Sequence, residues 1–408
     1  MKKLFLLALI SLFILGACGK KADDTAPKDD AKADTAADAK ADDAKAEAPK
    51  MDCSGVTVDS IKALAKFEDK DGKKLITEDS YVEILNKLPC CNVDEKLELN
   101  KNECVVFQAL KQIESENSAK KPSAKAVMGK LIKSDYAIVR AEGYKSINSI
   151  FDDNSPNAEI GKEAIQKEKD PYALKILAQE LTFSGDKAPF VGEFMIGLTK
   201  DKNALVRNEA VGSLCNSSYQ EVSGALDTII ALMSDSDETV AATACRGAGD
   251  HYNDKIIEPI AKILMDDSKA SIHSDCIHSL VHLWLDSPSY EHRSEAAYKA
   301  TLDYFKKTPR TSKVPNWLAL SEFNSITVND KFDKWKQEAT YFKQDEFTSV
   351  MVELIKDENF SGSVANGAAM KAIASMGGKA ELEKIGKIIE GLPEDTRQIY
   401  AEKLAEAK

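Results

Sequence analysis

His278 and His282 stand one helical turn apart, and Asp275 precedes the first of them by three residues. At about 100° per residue the three share one face of a helix. Two imidazoles and a carboxylate are the ligand types of a zinc site. The same trio also suits a solvated polar face or a pH-responsive contact surface. The apolar stripe Ile272, Cys276, Leu280 and Leu283 lies on roughly the opposite side, which turns the polar stripe toward solvent or a groove. No metal is therefore assigned, and Asp275, His278 and His282 stand as candidate ligands. All five histidines fall between 251 and 292. The chain has no G-x-S-x-G elbow, no Gly-rich phosphate loop and no H-E-x-x-H. These absences point away from an enzyme, and nothing implies a cofactor.

The cysteines form three sets. Cys53, Cys90, Cys91 and Cys104 crowd the start of the body; Cys215, Cys245 and Cys276 recur about thirty residues apart; Cys18 stands alone. Four cysteines allow three connectivities. Bonding the adjacent pair would be strained, so Cys53 and Cys104 are each expected to take one of Cys90 and Cys91. The spacing lacks the paired C-x-x-C of zinc sites. Cys215, Cys245 and Cys276 are expected as buried thiols acting as small hydrophobes, with a Cys245–Cys276 bridge as the competing arrangement. Between the first cysteines runs FEDKDGKKLITE, residues 67–78. With Gly72 as sixth position, Asp69, Asp71 and Glu78 would fall at calcium-loop positions, but Phe67 in first place cannot ligate. A polar turn between helices is expected there.

Cys18 sits in FILGACGKKADD, residues 13–24. Lys2 and Lys3 precede an apolar run from Leu4 to Leu15 that is too short to span a bilayer, which needs ~20 residues. That pattern reads as a signal peptide. Leu15-Gly16-Ala17-Cys18 resembles the lipobox of bacterial lipoproteins. The resemblance implies removal of residues 1–17 and acylation of Cys18, palmitate included, so that lipid anchors the chain. Several acyl chains hold a protein stably where one does not. Gly19 rather than Asp follows the cysteine, which by the same resemblance implies the outer membrane, facing the periplasm. Residues 18–50 then form a disordered Ala/Asp/Lys linker with no aromatic or branched aliphatic residue. As a coil it would span roughly 30 Å root-mean-square.

The elements that position these residues come from a repeat. The body, residues 51–408, is longer than the roughly 250–300 residues over which one core grows. It holds 46 basic and 58 acidic residues without a basic cluster, which argues against nucleic acid as a partner. Five segments align: IVRAEGYKSI (138–147), ALKILAQELT (173–182), LVRNEAVGSL (205–214), TVAATACRGA (239–248) and SIHSDCIHSL (271–280). Val139, Leu174, Val206, Val240 and Ile272 begin a stripe. Four residues on stand Gly143, Ala178, Ala210, Ala244 and Cys276; four more on stand Ile147, Leu214, Ala248 and Leu280, with Leu181 substituting for Thr182. An i, i+4, i+8 stripe is one helix face. Asp135, Asp170, Asp201, Ser236 or Asp237, and Asp267 or Ser268 suit N-caps before each, and a shorter apolar helix precedes each cap.

These units resemble HEAT-like repeats, whose second helix carries V-R-x-x-A-x-x-A-L. Val206-Arg207 with Ala210 and Leu214 matches best; Val364 with Ala368 and Ala372 forms a further match. The resemblance implies an all-α, α-α superhelix: a Cys-rich helical cap over 51–121 and a solenoid over 122–408. It also implies that the second helices line a concave face that binds protein. Arg140, Arg207, Asp275, His278 and His282, flanking the buried stripes, are the candidate contacts. The reading is a membrane-anchored lipoprotein scaffold binding an envelope protein; the alternative is a metal-binding or metal-dependent solenoid built on the His/Asp stripe.

Overall fold

The computed structural model describes residues 50–150, 158–186, 189–285, 294–307, 335, 337–347, 349–350, 383–387, 389–391 and 394–407. The lipobox, the linker and the repeat at Val364 lie outside the described residues. No helix among the described residues is long and apolar enough to cross a membrane.

The body begins with α1 (Val58–Lys62), a hairpin of β1 (Phe67–Lys70) and β2 (Lys73–Ile76), then α2 (Glu78–Leu85) and α3 (Val105–Asn117). Thr57 caps α1 through a reciprocal capping box with Ser60, and Thr77 caps α2. The hairpin corrects the expected polar turn. Asp71 and Gly72 both take positive φ, 51° and 71°, the left-handed pair that a tight two-residue hairpin demands. Phe67 pairs with Ile76 across it, and the Lys120 main chain exchanges bonds with Lys74 and Ile76. Two disulfides tie this cap, Cys53–Cys90 and Cys91–Cys104.

Helix pairs follow. First helices are α4 (Ala124–Leu131), α6 (Ala158–Lys167), α8 (Pro189–Leu198), α10 (Ala225–Leu232) and α12 (Ile257–Leu264). Second helices are α5 (Ala137–Tyr144), α7 (Pro171–Glu180), α9 (Ala204–Leu214), α11 (Glu238–Gly247) and α13 (His273–Leu285); α14 (Glu295–Lys307) comes next. Each second helix packs on the next, from α5 through to α14. The stripe residues form the buried seam: Val139, Val206, Val240, Ala178, Ala210, Ala244 and Leu214 are fully enclosed. Small residues in mid-stripe let backbones close up. A Cβ on mid-stripe Gly143 would lie 2.8 Å from Ile132 Cγ2; Gly247, three residues past mid-stripe Ala244, is as tightly placed, since a Cβ there would run into Cys215.

Asp170 and Asp237 cap α7 and α11 as expected. Elsewhere the helix starts later than the spacing suggests. Tyr136, without a side-chain cap, precedes α5. Asn203 caps α9, while Asp201 braces the turn by accepting from the Asn203 N–H. Asp266 caps a 3-10 turn leading to α13. The expectation of three free thiols also needs correction. Cys245 and Cys276, on neighbouring second helices with Cα atoms 4.7 Å apart, form a disulfide. Among the described residues Cys215 alone is a free thiol, and it is buried; burial pushes it far above the usual thiol range.

Candidate interaction face

Second helices spend one side on the seam and leave the other partly open. Along that open side, neighbouring helices are joined by polar pairs. Gln179 Nε2 donates to Glu209 Oε1 at 2.9 Å, linking α7 to α9. Thr243 Oγ1 donates to Asn208 Oδ1 at 2.7 Å, linking α11 to α9. Arg246 and Asp275 approach to 3.4 Å between α11 and α13. Exposed pairs of this kind add little stability, about 0–1 kcal/mol. Their consequence is chemical: the face is hydrogen-bonding and mixed in charge.

Arg140 and Arg207 stand at the start of their helices and point along the turns. Arg140 grips Glu168 with two bonds, Nε to Oε2 at 2.7 Å and Nη2 to Oε1 at 2.8 Å. Its Nη1 donates to the carbonyls of Ser134 and Asp135. Arg207 repeats this on Asp235, with Nε to Oδ2 at 2.9 Å and Nη2 to Oδ1 at 2.7 Å, and with Nη1 on the carbonyls of Asp201 and Lys202. In both cases the carboxylate lies 28 residues further on, in the next turn. Glu168 also accepts from the Tyr144 hydroxyl and from the N–H groups of Lys169 and Asp170. Burial would raise this carboxyl; the guanidinium and N–H donors outweigh burial and hold it below the usual range. Both arginines clamp one repeat to the next. The sequence reading missed Glu168 and Asp235, and the common 28-residue offset was the signal that could have found them.

The histidines divide by role. His251 donates from Nε2 to the Leu214 carbonyl at 2.8 Å. His273 Nε2 reaches the Ile263 and Asp266 carbonyls at 3.0 and 3.1 Å. Carbonyls only accept, so Nε2 carries the proton in both rings. Burial lowers both pKa values. His278 and His282 stack on the open side with ring centroids 4.4 Å apart, and His282 Nδ1 lies 3.2 Å from Asp250 Oδ1. Asp275 approaches Arg246 Nη1 to 3.4 Å. Among the described residues no group of three or more His, Cys, Asp or Glu is placed to hold a metal ion.

No protein-family model matches this chain, and no curated protein does. Solved structures do. One is a chain in the structure of Kap95p with RanGDP, at 11% identity and TM-score 0.50, over 81% of this chain and 45% of that one. An engineered protein aligns at 14% identity and TM-score 0.35, over 86% and 98% of the two chains. A chain of the Pds5–Scc1 complex aligns at 11% identity and TM-score 0.39, over 86% and 56%. The chain thus spans less than half the length of the first neighbour. At such identities the likeness speaks for fold alone. Together with the packed succession of second helices, it establishes an all-α superhelix of HEAT-like repeats.

Proposed function

We propose that this protein is a lipid-anchored scaffold of the bacterial cell envelope that holds a protein partner on the open side of its second helices. The observation that carries the reading is the polar face running over α7, α9, α11 and α13 through Gln179–Glu209, Asn208–Thr243 and Arg246–Asp275. A run of hydrogen-bonding groups on consecutive helices suits an extended protein surface. Kap95p, a neighbour in fold, binds RanGDP. Arg140 and Arg207 serve the scaffold by fixing the pitch between repeats; Asp275, His278 and His282 belong to the contact surface. The anchor rests on the lipobox at Cys18, and the outer membrane on Gly19 after it.

Two measurements test the two halves. A Cys18→Ser chain should leave the membrane fraction, and continued partitioning with membranes would sink the anchor. Crosslinking in intact cells followed by mass spectrometry should capture one envelope protein, and reversing Arg246 and Glu209 to opposite charges should abolish its capture. Capture that ignores those charges would overturn the face.

A further inference from the structure

One face of α14 brings Tyr298, Leu302 and several charged residues into line at helical spacing. Together with the stretch from Tyr341 to Glu346 it bounds a cavity of about 300 Å³. Leu302 and the two tyrosines supply apolar surface. Glu295, Asp303 and Glu346 line the cavity with carboxylates, and Lys299, Lys306 and Lys343 with ammonium groups. Lys306 and Glu346, one from each wall, meet at 2.5 Å, and Lys299 pairs with Glu295 at 2.5 Å.

Tyr298 is where the fold leaves this cavity unfinished. The residue is 2% exposed, and its ring packs on Trp284 and Trp335 with centroids 5.2 and 5.4 Å away. Its hydroxyl is buried and has no hydrogen-bond partner among the described residues. The neighbouring Trp284 is satisfied, donating from Nε1 to Thr301 Oγ1 at 3.1 Å, so the gap is particular to the tyrosine. A buried phenol left without a partner is costly and calls for an explanation. Burial pushes its pKa up, and Glu346 and Tyr341 push the same way, so the hydroxyl keeps its proton and can donate. Those two neighbours also line the cavity, which sets the hydroxyl end toward it. The Lys306–Glu346 bridge beside it is partly exposed, and a bridge of that kind opens at little cost.

The charges decide what fits. Three ammonium groups and three carboxylates leave the walls with no net charge. A ligand of one sign gains from one set about what it loses to the other, whereas a ligand carrying both signs close together gains from both. We infer that this cavity binds a small zwitterion of the amino-acid class. The ligand's carboxylate accepts from the Tyr298 hydroxyl and the Lys343 ammonium, its own ammonium donates to the wall carboxylates, and its side chain lies on Leu302 and Tyr341. The inference is independent of the protein-binding face on α7 to α13.

Calorimetric titration of the full-length protein at mildly acidic pH tests it with three probes. They are L-phenylalanine, N-acetyl-L-phenylalanine, which keeps only the negative charge, and L-phenylalaninamide, which keeps only the positive one. L-phenylalanine should bind saturably, and each single-charge probe at least about tenfold more weakly. Tyr298→Phe keeps the ring and removes the unpartnered hydroxyl. It should weaken L-phenylalanine binding about tenfold while the unfolding midpoint stays the same or rises, because the folded chain loses no hydrogen bond. A purely structural role for the hydroxyl would lower the midpoint and leave binding alone. Lys343→Gln, at an exposed position, should weaken L-phenylalanine and spare L-phenylalaninamide. Absence of L-phenylalanine binding, equal binding of the three probes, or undiminished binding by the Tyr298→Phe protein would overturn the site.

Discussion

At the residue scale, Arg140 and Glu168 make the sharpest case. Removing the guanidinium strands a carboxylate whose side chain is 1% exposed. Arg140→Ala should therefore cost about 3–5 kcal/mol in urea unfolding, while Arg140→Met with Glu168→Leu should recover most of it. The pH dependence follows from the signs. Glu168 is held below its unfolded value, so its contribution is complete above the ordinary glutamate range and disappears as pH falls through the lowered value. In Arg140→Ala only the Tyr144 hydroxyl and the Lys169 and Asp170 N–H groups still oppose burial, so the loss of stability that acid causes at this site should shrink. His251 and His273 are held below the usual histidine value by burial. Their share of stability should begin to fall nearer pH 6.5, ahead of the carboxylate. Cys215 carries its own prediction: native protein should resist iodoacetamide at this thiol until denaturant exposes it.

At the element scale, the seam sets the tolerances. Gly247→Ala would drive a methyl into Cys215, where both Sγ and Cβ lie within 2.4 Å of the new atom. Overpacking of this kind should cost about 1–3 kcal/mol, read as a lowered unfolding midpoint. The stripes were legible in the sequence because burying one helix face imposes a four-residue step that survives divergence. All five small mid-stripe positions are buried, and Leu181 takes the place of Thr182 in the core. The hairpin at Phe67–Ile76 is not legible in the sequence, because charged Glu68, Asp69 and Lys70 hide the strand alternation and leave only a polar turn to be read at Asp71-Gly72. Helix starts were misplaced for a related reason. Asp135 and Asp201 have the side chain of a cap, but only backbone geometry decides whether the helix begins one or two residues later. The arginines were legible as residues, and their use was not. A bidentate grip on a carboxylate one repeat away requires knowing which turns lie side by side.

At the scale of the whole molecule, each repeat leans only on its neighbours, so a local lesion should stay local. Replacing Cys245 and Cys276 together by Ser should lower stability by about 3 kcal/mol. Hydrogen exchange should rise over α9 to α14 and remain unchanged over α2 to α5. Exchange rising uniformly along the chain would contradict a nearest-neighbour stack. The same bridge has a mechanical meaning. Loaded in tension between its ends, the oxidised chain withholds the 31-residue span between Cys245 and Cys276 from extension, roughly 100 Å of contour length. In an optical trap a reductant should release that hidden length as an additional step. A protein held at one end and pulled at the other would thus yield in instalments, with its oxidation state setting how far it can be drawn out.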